Sequence, residues 1–278
     1  MTNNTMPTQR DEVASTVIPS PPIEYAALER VDFRYPNGLF ALHDFSMAVE
    51  HGQTVGLVGP SGCGKSTVLK LLAGLVSPTG GTVTRGVDAG GERYSLAMMF
   101  QHDTLLPWLT VRENVGLFSR FRSRRFRRSA ELTERVDNLL ELVGLQDFAA
   151  SLPHELSGGM RRRVAFLATV APEPSILLLD EPFSAIDEPT RIGIHEQVFQ
   201  VTKMMGTSVV LVTHDLAEAV TLSDRVLIMS ARPGSVAYSK DIPLGSDRDM
   251  FAIRETEGYL NIYRELWHTL RLEIWRVR

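Results

Sequence analysis

The run Gly59–Thr67 constrains this chain more than any other feature. Gly59-Pro60-Ser61-Gly62-Cys63-Gly64-Lys65-Ser66 keeps the spacing G-x-x-x-x-G-K-[ST], and Thr67 follows it. A short apolar strand, Thr54–Val58, leads in, and an apolar helix, Thr67–Leu75, leads out. Glycines let the backbone wrap closely, so successive N–H groups point at phosphate oxygens. The helix N-terminus adds the positive end of its dipole. Lys65 has the reach for β- and γ-phosphates, and the Ser66 hydroxyl suits Mg²⁺. Thr67 is placed for the α-phosphate region. Cys63 contributes its backbone N–H, with a reactive thiol as the alternative.

Strands and helices alternate on both sides of this loop, which argues for an α/β core around a mainly parallel sheet. Tyr25–Tyr35 and Leu42–Val49 read as strands joined through the turn Pro36-Asn37-Gly38. Pro78-Thr79-Gly80-Gly81 closes the first unit, and Leu96–Phe100 reads as another strand. Val111–Phe118 and Ala130–Leu142 have helical periodicity, so residues 105–156 read as a helical insertion. Alternation resumes with Ile176–Leu179, Ile192–Met205, Ser208–Val212, Leu216–Leu222 and Arg225–Ser230. Residues 23–250 thus form the main domain. In the C-terminal extension, residues 251–278, the segment Phe251–Ile274 has helical spacing, with Leu260, Tyr263, Leu266, Trp267 and Leu270 on one side. Residues 1–22, rich in Thr, Asn, Ser and Pro, read as a flexible tail without the features of a signal peptide.

A second acidic element follows the insertion. Ile176-Leu177-Leu178-Leu179-Asp180-Glu181 is an apolar strand ending in two carboxylates. A buried strand carries a carboxylate where a cation meets it, so Asp180 is assigned to Mg²⁺. Glu181, at the strand's exit, is placed to take a proton from an attacking water.

Between these elements lies Leu156-Ser157-Gly158-Gly159-Met160, which resembles the signature LSGGQ of ATP-binding-cassette transporters. The resemblance runs from Ile23 to about Leu244 and implies a P-loop NTPase core with an N-terminal antiparallel β subdomain and a helical insertion. It implies ATP and Mg²⁺ as cofactors and a head-to-tail dimer, expected to be a homodimer. In that dimer Ser157, Gly158 and Gly159 close over the nucleotide held by a second ATPase subunit. Gln101 resembles the Q-loop glutamine, which senses Mg²⁺ and water. Ser184-Ala185-Ile186-Asp187 resembles the D-loop, and Thr213-His214-Asp215 the H-switch, where His214 would hold the γ-phosphate. Tyr35 sits where the family stacks an aromatic on adenine, a turn tyrosine being the plainer alternative. Met160 and Ala168 depart from the family, which usually has glutamine and arginine there. Loss of the arginine is expected to weaken the support of the D-loop and slow hydrolysis.

Leu105-Leu106-Pro107-Trp108-Leu109-Thr110-Val111, Ser230-Ala231-Arg232-Pro233-Gly234 and Asp241-Ile242-Pro243-Leu244 resemble importers of nitrate, aliphatic sulfonates and taurine. This implies an ATPase subunit energising uptake of a small anionic solute from the cytoplasmic face of the membrane. Integral permease subunits and, indirectly, a solute-binding protein would be its partners. Trp108 belongs either to the surface that receives the permease or to the insertion's own core. Arg120–Arg128 holds six arginines and is either a solvated face or a contact with permease or anionic headgroups. Other classes remain: a cassette ATPase unconnected with transport, or a weakly hydrolysing regulatory subunit. The net charge of −4 gives no basic footprint, so no nucleic-acid partner is expected. Cys63 is the only cysteine, which excludes an intrachain disulfide and multi-cysteine metal sites.

Overall fold

The computed structural model describes residues 24–87, 93–101, 104–122, 130–184, 188–245 and 248–276. In chain order the elements are β1 (Glu24–Arg34), β2 (Phe40–Glu50), β3 (Thr54–Val58), α1 (Lys65–Leu72), β4 (Gly80–Arg85), β5 (Leu96–Met99), α2 (Val111–Arg122) and α3 (Ala130–Leu142). There follow α4 (Gly158–Val170), β6 (Ile176–Asp180), α5 (Glu188–Met205), β7 (Ser208–Val212), α6 (Leu216–Leu222), β8 (Arg225–Met229), β9 (Val236–Asp241) and α7 (Glu257–Trp275). Two sheets result: an antiparallel one in the order β2-β1-β4, and a six-stranded one in the order β5-β6-β7-β3-β8-β9. The second is parallel except for β9, which runs antiparallel to β8 at the edge.

The central strands are unbroken apolar runs because the parallel sheet is covered on both faces. All five residues of β3, β6 and β7 are buried. Side chains alternate across β6: Ile176 and Leu178 join a core with α1 and the antiparallel sheet, and Leu177 and Leu179 join one with α4 and α5. Each fully buried leucine of this kind contributes about 1.5–3 kcal/mol. The helical arm α2–α3–α4 extends the second core. A third core packs α6 and α7 around β8. Helix α1 ends in a double turn: Gly74 at φ 70° donates to the Leu71 carbonyl, and Leu75 to that of Lys70.

The described residues depart from the sequence expectation in three places. Gly80-Gly81 lies inside a strand, β4, which hydrogen-bonds the edge of β1. There Gly81 sits so close to the Arg30 backbone that a Cβ would fall 2.3 Å from its carbonyl oxygen. β9 is also an edge strand, alternately half-buried and exposed, so it carries little apolar signal. The expected C-terminal helix starts later, at Glu257, after Thr256 caps the Tyr259 N–H. Its buried face is Tyr259, Ile262, Leu266, Leu270 and Glu273, leaving Leu260 and Trp267 exposed. The apolar band of this helix is wider than the stripe it buries. The polar Glu273 sits in that stripe because its carboxylate accepts the Ala231 N–H.

Candidate nucleotide site

The phosphate loop joins β3 to α1. Gly64 precedes α1 at φ 112°, a conformation open to glycine, and a Cβ there would meet Leu42 at 2.8 Å and the Ala41 carbonyl at 3.0 Å. Lys65 is buried and curls onto the loop: its ammonium donates to the carbonyls of Gly59 at 2.8 Å and Pro60 at 3.0 Å. Cys63 is buried against Met229, and burial pushes its thiol up while the Lys65 charge opposes this. The thiolate that a reactive cysteine needs is therefore disfavoured. Ser61 and Gly62 are exposed at the rim. At the loop's far end Thr67 is hydrogen-bonded to the Tyr35 hydroxyl at 2.9 Å, with Phe33 edge-on to the Tyr35 ring.

The carboxylates meet this loop because β6 lies next to β7, which lies next to β3. The Ser66 hydroxyl donates to Asp180 at 3.1 Å. Burial raises the Asp180 carboxyl above its ordinary range and the Glu181 charge adds to this, while the Ser66 bond, Lys70 and Lys65 oppose it. A buried carboxylate in that state gains from a cation. The Ser66–Asp180 pair offers hard oxygen donors of the kind that suit Mg²⁺. Among the described residues there is no group of three or more His, Cys, Asp or Glu placed to hold a metal ion.

Two expected residues, Gln101 and His214, converge on one oxygen of a third, Glu181. Glu181 Oε2 accepts from Gln101 Nε2 at 3.2 Å and lies 3.4 Å from His214 Nδ1. Glu181 itself has φ 45°, which costs a non-glycine residue about 1–2 kcal/mol. Its N–H donates to the Val212 carbonyl at 2.9 Å, and its carbonyl accepts from the Ser184 N–H and hydroxyl. These bonds fix the turn that swings the carboxylate out of the sheet toward the two neighbours.

Ser157, Gly158 and Gly159 stand apart. Ser157 caps α4 by accepting from the Met160 N–H at 3.3 Å, and both Ser157 and Gly158 are exposed. Among the described residues no hydrogen bond joins them to the phosphate loop. Ala185, Ile186 and Asp187 of the expected D-loop lie outside the described residues, as does most of Arg120–Arg128. Ala168 is buried on α4 and lies under a groove of about 780 Å³ that Leu96, Met98, Phe100, Leu106 and Phe118 also line. The charged contact that α4 makes behind Glu181 comes instead from Arg162, a residue sequence reasoning missed. Its partners lie about twenty positions away on a turn, so no local pattern announces it. Trp108 is 71% exposed, which favours the surface reading over the core.

Residues 42–184 match the family model described as "ABC transporter". The chain belongs to the ABC transporter family. A taurine import ATP-binding protein of Jannaschia sp. (strain CCS1) is 35% identical over 86% of this chain and 91% of its own. An aliphatic sulfonates import ATP-binding protein of Pseudomonas syringae pv. tomato is 41% identical over 79% and 89%. The dimeric structure of a bacterial ABC transporter cassette, 31% identical, superposes with a TM-score of 0.68 over 78% of this chain and 98% of that one. This ABC protein therefore has the cassette fold, and ATP binding and hydrolysis are its activity.

Proposed function

We propose that this ABC ATPase powers import of a small sulfonate-type anion, working as a dimer on a membrane permease. The observation that carries its chemistry is the meeting of Gln101, Glu181 and His214 beside the Ser66–Asp180 pair. ATP phosphates replace the Gly59 and Pro60 carbonyls as partners of the Lys65 ammonium. The loop's N–H groups and the α1 N-terminus stabilise the remaining charge. Tyr35 stacks on adenine next to Thr67. Ser66, Asp180 and the Q-loop Gln101 are the residues that would hold Mg²⁺, which would supply charge neutralisation at the phosphates. Glu181 accepts a proton from water as the water oxygen bonds the γ-phosphorus and the bond to the bridging oxygen breaks, leaving ADP and phosphate. Gln101 and His214 hold the carboxylate and water in line, and His214 also faces the γ-phosphate.

Ser157, Gly158 and Gly159 of a second copy close the site. Exposure of Ser157 and Gly158 supports that reading, as does the dimeric cassette among the structural relatives. The permease engages the groove lined by Phe100 and Phe118, together with the exposed Trp108, and the protein works at the cytoplasmic face. No helix among the described residues is long and apolar enough to cross a membrane. The sulfonate class rests on the relatives' names; a separate binding protein and the permease select the cargo.

Glu181→Gln tests the chemistry. ATP affinity should stay within a few-fold, and turnover should fall by roughly 10²–10⁴, the range of a lost general base. Near-normal hydrolysis removes Glu181 from that role.

A further inference from the structure

We infer that Arg162 is a positioning residue for Glu181, tying the helix that opens at Ser157–Gly159 to the turn that aims the catalytic carboxylate of the same chain. This rests on the reading of Glu181 as the base. Arg162 lies one turn into α4 and is only 6% exposed. Its Nε donates to the Pro182 carbonyl at 2.6 Å, and one terminal nitrogen donates to the Glu181 carbonyl at 3.0 Å. A guanidinium presents such donors as a rigid fork, and these two carbonyls are consecutive along the chain. The fork therefore grips the Glu181–Pro182 peptide and the one after it, which fixes the orientation of the first and not just its distance from α4.

That peptide needs holding. Glu181 occupies φ 45°, where a non-glycine side chain persists only if its surroundings over-determine it. Around it the Val212 carbonyl takes the Glu181 N–H, and Ser184 and Arg162 share the Glu181 carbonyl. Of these, Arg162 alone comes from the helix that opens at Ser157-Gly158-Gly159, where Ser157 and Gly158 are exposed. Relaxing the turn would move the carboxylate off Gln101 at 3.2 Å and His214 at 3.4 Å. Arg162 touches neither nucleotide nor water in this scheme and acts through Glu181. Any shift of α4 when its N-terminus meets a nucleotide would reach Glu181 through the same fork.

The test is a double-mutant cycle on the full-length protein, reading ATP affinity, KM, kcat and Tm. Arg162→Met keeps the length of the side chain and removes its donors. It should leave ATP affinity and KM within about two-fold and lower kcat by about 10–100-fold, the effect of a misplaced catalytic group. In a Glu181→Gln background the same change should lower residual turnover less than two-fold, because the group it positions is gone. Arg162→Lys, with one compact donor in place of the fork, should recover part of kcat, and it carries the test if Arg162→Met does not fold. Wild-type kcat in Arg162→Met, an equal loss in both backgrounds, or a Lys variant no better than Met overturns the inference. Near-normal hydrolysis by Glu181→Gln alone fells the base assignment, and this inference with it. A dead Glu181→Gln beside a fully active Arg162→Met fells this inference only.

Discussion

At Gly64 the chain enters α1 with φ 112° and with Leu42 and Ala41 so near that a Cβ would overlap both. At Gly158 the chain enters α4 with the nearest atom 3.9 Å from where a Cβ would sit. Both turns are glycine-rich and both present a helix N-terminus, yet they are furnished differently. The first has a buried lysine and, across Ser66, a buried carboxylate. The second has an exposed serine whose hydroxyl caps its own helix. On the proposed reading, the first turn is the one that holds phosphate and a cation. In the other, glycine is not demanded by the chain's own packing, which leaves close approach from outside as the reason for a residue without a side chain.

Substitutions can break or sharpen this contrast. Lys65→Ala should have the largest effect, a turnover loss of about 10²–10³-fold as for other lost charge-stabilising donors, together with weaker ATP binding. Steady-state hydrolysis and nucleotide titration would check it. Gly158→Asp should lower turnover by about 10²-fold by setting a negative charge where phosphate is expected. In contrast to Lys65→Ala, it should leave ATP binding by the isolated chain intact and stability within about 0.5 kcal/mol. Gly64→Ala should do the reverse to stability, costing about 1–3 kcal/mol through backbone strain alone and visible as a lower Tm without nucleotide. Equal stability losses at the two glycines would erase the distinction.

The smallest expected effect lies outside both turns. Glu265 on α7 accepts from the Tyr238 hydroxyl and pairs with Lys240 at 2.9 Å, and these two partners hold its carboxyl below the usual range. A lowered carboxyl stabilises the fold above the ordinary carboxylate range, and that stability is lost as pH falls through the folded-state value. Glu265→Gln should therefore lower Tm slightly at neutral pH, and the gap should close on acidification. A gap that persists or widens in acid would contradict the assignment.

Much of this site was legible in the sequence because each part is a short run whose chemistry and flanking elements agree. Gly59–Thr67 follows a five-residue apolar strand, and Asp180 ends another. The strand order then brings Gln101, Glu181 and His214 together although they are scattered along the chain. What stayed hidden depends on tertiary contact. β4 and β9 are edge strands with weak alternation, and glycine in β4 imitates a turn. The face of α7 is decided by which residues meet α6 and β8, and its apolar band exceeded what those neighbours cover. Arg162 is one of three consecutive arginines, Arg161-Arg162-Arg163, and only the folded chain distinguishes it.

The central claim is that Ser157–Gly159 completes the nucleotide site of another copy. It is tested most directly by the size of the protein in solution with ATP bound. Glu181→Gln protein, unable to consume its nucleotide, should shift from monomer to dimer when ATP and Mg²⁺ are added, as read by light scattering. Adding Gly158→Asp to that variant should leave ATP bound and the protein monomeric. A doubly substituted protein that dimerises as fully as Glu181→Gln alone would contradict the claim.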